Sequence, residues 1–201
     1  MKLTRWSRPF LRMAVVAGAM LGAGGCAAAG QAGTASSYLI VESLLAASGA
    51  NASQFEASLA SDVQTVIDGV PTRLEDPAKA TFRLVMKDPG ITTPSPINFI
   101  TLRGYRVTFS RADGRNVQGV DVPYAFDGVM TATVSGSGTS VSLVLVRAQA
   151  KLEAPLRALA GGGGAIAIST FADVVFYGAD QAGRDVSVTA RISVTFADWG
   201  D

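Results

Sequence analysis

The clearest pattern of apolar and polar positions lies near the end of the chain. Val186, Val188, Ala190, Ile192, Val194 and Phe196 alternate with Ser187, Thr189, Arg191, Ser193 and Thr195. A period of two over that length predicts a strand with one buried face and one wet face; a helix would scatter the same residues around its circumference. A wet face also favours antiparallel pairing, because parallel strands are usually apolar on both sides. Upstream, the segment Ala172 to Asp185 carries a second apolar run that ends in Asp180-Gln181-Ala182-Gly183. Glycine takes positive φ and aspartate bonds the backbone ahead, so these residues predict a turn, and the two strands a terminal hairpin.

The same test finds further strands. Phe82, Leu84 and Met86 share a face opposite Arg83, Val85 and Lys87. Ile100 and Leu102 run in one phase, then Tyr105, Val107 and Phe109 in the other. The slip at Arg103-Gly104 predicts a β-bulge. Met130, Ala132 and Val134 form a short strand before the turn Ser135 to Gly138. The run Ser37 to Leu45 predicts the first strand, and Ser61 to Ile67 a weaker one. Val144, Val146, Ala148 and Ala150 alternate with Leu145, Arg147, Gln149 and Lys151, which predicts a strand as far as Ala150. Leu152, Leu156 and Leu159 then fall near helical spacing. Pro155 is tolerated at a first helical position, so a short helical turn is expected there. The run Gly161 to Gly164 ends it. Consecutive glycines can cradle phosphate, but no Gly-Lys-Ser/Thr follows, and a flexible connection is expected.

Seven to eight strands, glycine-bearing turns and one short helical turn predict an all-β fold, an antiparallel β-sandwich. The pattern Val174-x-Phe176-x-Gly178-x-Asp180-x-x-Gly183 is similar to the penultimate strand and turn of fibronectin type III and bacterial immunoglobulin-like domains. Tyr105 to Gly114 resembles their central C strand. Two departures stand out: Gly178 replaces the usual alanine, and Val174 stands where those families carry a strand-F tyrosine. The resemblance implies an immunoglobulin-like sandwich, here assigned to residues 38–201.

The head of the chain has a different character. Lys2, Arg5, Arg8 and Arg12 precede an apolar stretch, Met13 to Gly24, with no acid among them. The stretch is shorter than the roughly 20 apolar residues that span a bilayer. A positive head, a short apolar centre and a small-residue exit predict a secretory signal over residues 1–25. Arg5 and Arg8 are not adjacent, which argues against a twin-arginine signal. At the exit, Ala23-Gly24-Gly25-Cys26 resembles the lipobox of bacterial lipoproteins. That family is cut before the cysteine, and lipid is attached to its sulfur and new amino group. The resemblance therefore implies Cys26 as the lipidation site and a membrane anchor at the mature N-terminus. Ala23 stands where lipoboxes prefer leucine, with Leu21 two places further back. Cleavage near Ala27-Ala28-Ala29 is the alternative, and it would discard the cysteine. Cys26 is the only cysteine of the chain, so it has no disulfide partner there. Residues 26–37 are small and polar, and are expected to form a flexible tether. Ala27 in place of aspartate implies, by resemblance to Gram-negative lipoproteins, export to the outer membrane. As a whole, the mature sequence is similar to bacterial lipoproteins that carry no assigned function.

Processing changes the composition. Removal of residues 1–25 leaves 176 of 201 residues and takes away four of the 17 Lys and Arg, so 13 face 16 Asp and Glu. The mature chain is mildly acidic and its basic residues do not cluster, which argues against a nucleic-acid partner. Its length suits one domain with a proper core. The chain has no histidine. That removes a Ser-His-Asp triad, a Cys-His pair and histidine metal sites. Carboxylate chemistry, or rarer lysine and tyrosine roles, would remain for an enzyme.

Several residues merit a place on the map. Asp180 and Asp185 flank a turn, and with Asp113 could offer oxygens to calcium, but turn chemistry explains them without a metal. Asp121 and Asp127 bracket Val122 to Phe126 and are the least poor carboxylate pair for a glycosidase-like role. Tyr124, Tyr177 and Trp199 could form an aromatic platform for sugar or protein; Phe126 reads as core. Ala154 to Leu159 could dock a partner, although capping the open end of the sandwich suits it better. The expectation is a non-enzymatic, lipid-anchored cell-envelope protein with a binding or structural domain. No catalytic residue, cofactor or metal is assigned; partners would be the membrane and an envelope protein or glycan. A carbohydrate-binding or carbohydrate-active module is the alternative, and a calcium-dependent adhesive domain a third.

Overall fold

The computed structural model describes residues 31–199. The expected signal segment, Cys26 and the start of the tether lie outside the described residues.

The fold is all-β, built from two sheets that share one core. The larger sheet has the order β1-β11-β10-β7-β8, with β3 also on β11. Its strands are β1 (Gln31–Gly33), β3 (Ser58–Asp62), β7 (Ile100–Ser110), β8 (Phe126–Val134), β10 (Ile168–Asp180) and β11 (Asp185–Ala197). The smaller sheet has the order β2-β6-β9, from β2 (Ser37–Ala46), β6 (Asp76–Met86) and β9 (Thr139–Val146). A separate hairpin joins β4 (Thr65–Ile67) to β5 (Val70–Thr72). Its turn is Asp68-Gly69, with φ of 51° and 78°. Positive φ at both central residues matches the right-handed twist of a two-residue hairpin.

Alternation puts the two inner faces together. In β6, Ala78, Ala80, Phe82 and Leu84 are buried while Lys79 and Arg83 are exposed. In β10, Ala172, Val174 and Phe176 point the same way. Phe82 meets Phe176 edge to face across the gap, with centroids 4.8 Å apart. Such a contact adds about 0.5–1.5 kcal/mol beyond the burial of the rings. The terminal hairpin is β10 on β11, and Val186, Val188, Ile192, Val194 and Phe196 are all buried.

The expected bulge is present. Against β10, Gly104 pairs with Tyr177 and Leu102 with Gly178, so Arg103 is the extra residue on β7. One extra residue lets Ile100 and Leu102 on one side, and Tyr105, Val107 and Phe109 on the other, all face the core. The backbone here is crowded. A Cβ on Gly128 would stand 2.1 Å from Cζ of Tyr105, so only glycine fits beneath that ring. Tyr105 in turn accepts a hydrogen bond from the Val144 amide of β9 at 3.1 Å, fastening one sheet to the other.

Five features differ from the sequence expectations. First, the domain begins earlier: Gln31–Gly33 pairs with β11, the Thr34 and Ala35 amides bond Asp185 O, and Ala35 and Ser37 are buried. Residues 31–37 of the expected tether therefore belong to the fold. Second, the expected strand to Ala150 stops at Val146. Ala148–Leu152 forms a 3-10 turn instead, and it buries Ala150 and Lys151. Third, helical structure among the described residues is four 3-10 turns, Gly49–Asn51, Pro96–Asn98, Ala148–Leu152 and Leu156–Leu159, in place of one. Fourth, the weaker strand expected from Ser61 to Ile67 is divided. Asp62 accepts from the Gln64 amide and the Thr65 hydroxyl, which turns the chain between β3 and β4. Fifth, β3 runs parallel to β11, against the antiparallel expectation. The connection 47–57 runs back against the end of β2, with Glu56 in an antiparallel bridge to Ala46, before β3 begins beside β11.

Candidate functional site

The strand registers sort the connections between two ends. At one end, Ser37 lies beside Met86 and Ile100 beside both Asp180 and Val134. Segments 34–36, 87–99, 135–138 and 181–184 gather there. At the other, Ala46 lies beside Ala78, Asp76 beside Val146, Ser110 beside Phe171, and Asp62 beside Ala197. Segments 47–57, 63–75, 111–125 and 147–167 gather at this second end, called the distal end because β1 pairs with Val186 to Val188, nearer the first.

The distal connections are long but braced. In 111–125, Asp113 accepts from Arg111 Nη2 at 2.7 Å and from Arg115 Nη2 at 2.9 Å. The hydrogen bonds from Arg111, then those from Arg115, hold its carboxyl well below the usual carboxylate range. Asp121 accepts from the Val117 amide, Gln118 accepts from the Ala125 amide, and Gly119 donates to Val122 O. These bonds fix a loop that leaves Val117 and Val120 60% and 67% exposed. The β4–β5 hairpin shows Ile67 and Val70 to solvent, and the last connection shows Leu152 and Ile166. Leu156 and Leu159 from the same connection are buried, so the Ala154 to Leu159 segment caps the core as expected. Trp199 is anchored through its amide to Asp62, and the Gly161 amide donates to neighbouring Asp198.

Beneath the distal loops sits a buried polar knot. Lys151 Nζ lies 2.9 Å from Asp76 Oδ1, Ser61 Oγ donates to Asp76 Oδ2 at 2.6 Å, and the Gly49 amide donates to Asp76 Oδ1 at 2.8 Å. Burial pushes the Asp76 carboxyl up, against the opposing pull of Lys151, Ser61 and Gly49. Three separate segments thus converge on one carboxylate of a fourth, fixing the loops that spring from them.

The sequence-selected residues are dispersed. Asp121 is bound to its own loop, whereas Asp127 pairs with Arg106 at 2.6 Å on the outer face of the larger sheet. Asp180 accepts from the Ala182 and Arg184 amides and from Arg184 Nε at 3.0, 2.9 and 2.8 Å, so turn chemistry occupies its oxygens. Burial pushes its carboxyl up, but these bonds outweigh burial and lower it overall. Asp113 is at the distal end and Asp180 at the other, so they do not converge; among the described residues no group of three or more acids could hold a metal. Tyr177 and Trp199 also lie at opposite ends, since Tyr177 pairs with Ser187 and β11 continues to Ala197 before Trp199. Tyr124 packs over Gly119 in the distal loop. Tyr177 instead borders a groove of about 350 Å³ with Arg103, Asp185 and Ser187. Phe126 is core, as expected.

Sequence reading passed over the β4–β5 hairpin, the exposed Val117 and Val120, and the Asp76–Lys151 pair. Asp68-Gly69 between short apolar runs was the available signal for the hairpin. No helix among the described residues is long and apolar enough to cross a membrane. No family model, curated protein or solved structure matches the chain.

Proposed function

We propose that this chain is a non-enzymatic, lipid-anchored protein of the cell envelope whose β-sandwich holds a protein partner at its distal loops. The observation that carries this reading is the division of the two ends. Braced loops displaying Val117, Val120, Ile67 and Val70 gather at one end, while β1 lies along the edge of β11 nearer the other, beside Val186 to Val188. Binding residues commonly sit on loops held by a rigid scaffold, and apolar side chains presented at fixed positions are suited to burial in an interface. Strand order supports an immunoglobulin-like reading of the sandwich. The β2-β6-β9 sheet matches strands A-B-E, and β11-β10-β7-β8 matches G-F-C-C′. The histidine-free sequence and the separate engagement of Asp121 and Asp127 support a role without catalysis.

The test is site-specific photo-crosslinking in intact cells. A benzophenone side chain at Val120 should capture a discrete envelope protein, and one at Thr189 on the outer sheet face should not. Equal patterns from both positions would remove the distal end as the binding surface. The groove beside Tyr177 favours a second reading, glycan binding, since an aromatic ring sits there among Arg103, Asp185 and Ser187. A glycan array bound by the mature chain, and lost with Tyr177→Ala, would support it.

A further inference from the structure

The bulge on β7 decides where Arg103 points. Leu102 and Tyr105, on either side of Arg103-Gly104, are buried, and Arg103 as the extra residue is turned out onto the exposed face of the larger sheet. Bulges re-aim side chains in this way, often beside functional sites. Arg103 thereby lines the groove of about 350 Å³ that it shares with Tyr177, Asp185, Ser187 and the backbone of Gly33.

The floor of the groove is set by close approach. Gly104 pairs with Tyr177, and a Cβ on Gly104 would stand 2.6 Å from the Tyr177 hydroxyl oxygen. Only glycine lets that side chain come so near β7. The ring still keeps 39% of its surface exposed.

The charges in the groove are free. Elsewhere on this face Arg106 is paired with Asp127 at 2.6 Å, and Arg191 with Asp173 at 2.7 Å. At the nearby turn Arg184 is paired with Asp180 at 2.8 Å. Among the described residues, Arg103 makes no ion pair or hydrogen bond, and neither do the Asp185 carboxylate and the Ser187 hydroxyl. Arg103 and Asp185 line one groove without pairing to each other. A ligand that reaches either group therefore breaks no ion pair of the fold.

This set of groups selects a ligand chemistry. The face of an aromatic ring is electron-rich and suits the C–H face of a sugar. A guanidinium presents a planar fork that meets a carboxylate through two parallel N–H···O bonds. Asp185 accepts from sugar hydroxyls, and Ser187 both donates and accepts. A neutral sugar leaves the fork of Arg103 without an anion. A phosphorylated sugar would bring a second negative charge close to Asp185, where like charges repel. The volume is at the small end of ligand clefts, which suits a single ring.

We propose that the groove binds one acidic sugar residue, with its carboxylate on the Arg103 guanidinium, its hydroxyls on Asp185 and Ser187, and its ring on Tyr177. This inference rests on the glycan-binding reading of the groove given above.

The test titrates the purified full chain with methyl glucuronide and methyl galacturonide, each beside its neutral counterpart, methyl glucoside or methyl galactoside. Binding is read by ligand-observed NMR. The acidic sugars should bind at least about tenfold more tightly than the neutral ones. Arg103→Met should erase that difference, Arg103→Lys should restore only part of it, and Tyr177→Ala should remove binding of all four. Arg103 is exposed, so its variants should keep the melting midpoint of the unaltered protein. Equal binding of acidic and neutral sugars that is lost with Tyr177→Ala overturns the carboxylate assignment and leaves the glycan reading standing. An acidic preference unchanged by Arg103→Met does the same. Absence of binding by all four sugars, or binding that survives Tyr177→Ala, overturns the groove as a glycan site and this inference with it.

Discussion

Lys151 and Asp76 form an ion pair 2.9 Å long across 75 residues of sequence, and each is 1% exposed or less. A buried pair of this kind contributes little against a well-packed apolar alternative, but losing one partner strands the other charge.

Lys151→Met should therefore destabilise the domain by about 3–5 kcal/mol at neutral pH. Burial already raises the Asp76 carboxyl above its ordinary value of 3.8, and the variant removes a group that opposes the rise. A carboxyl raised in the folded state binds its proton more readily there. Its stabilising contribution is present at low pH and lost as pH rises from about 4 upward through the folded value. The cost of Lys151→Met should accordingly shrink on acidification. Urea unfolding of both proteins at pH 7 and pH 4.5 measures it; a cost independent of pH would contradict the uncompensated carboxylate.

Asp180 should behave in the opposite sense. Its carboxyl is lowered on balance, so it contributes stability above about pH 4 that is lost as pH falls through the folded value. Asp180→Asn loses charge-assisted bonds to Arg184 and should cost about 1.5–3 kcal/mol at pH 7. The difference from the unaltered protein should narrow below pH 4 in thermal melts recorded across pH.

The facing of β11 gives a paired test. Ile192 is 2% exposed and Thr189 is exposed. Ile192→Asp places an unpaired carboxylate in the core, a cost of several kcal/mol against a total stability of about 5–15. Thr189→Asp should change stability by no more than about 0.5 kcal/mol. Circular dichroism should find the first variant unfolded and the second native; similar midpoints would reverse the assignment of faces.

Gly128→Ala should loosen the contact between the sheets. The added methyl displaces the Tyr105 ring, and with it the hydroxyl that accepts from Val144. Overpacking of this kind costs about 1–3 kcal/mol. Tyr105→Phe, which removes only the hydroxyl, should cost about 1 kcal/mol. Faster amide exchange at Val144 in both variants would identify the shared bond, and unchanged exchange would exclude it.

The strands were legible in the sequence because period-two alternation follows directly from strand geometry. Val186 to Phe196, Phe82 to Met86 and both phases about Arg103-Gly104 needed only their own residues to be read. The Asp180 turn was legible for the same reason: its hydrogen-bond partners are two and four residues away. Tertiary structure decided what depends on distant partners. Alternation alone carried the ninth strand on to Ala150, but packing turns the chain at Val146 so that Lys151 can reach an aspartate on β6. Gln31 to Ser37 has the composition of a linker and is held by the edge of β11 and by Asp185 O, which local composition cannot reveal. The separation of Tyr177 from Trp199, and the gathering of long loops at one end, arise from the order in which strands join the two sheets. Each of these depends on contacts between residues far apart in the chain, and no local pattern encodes them.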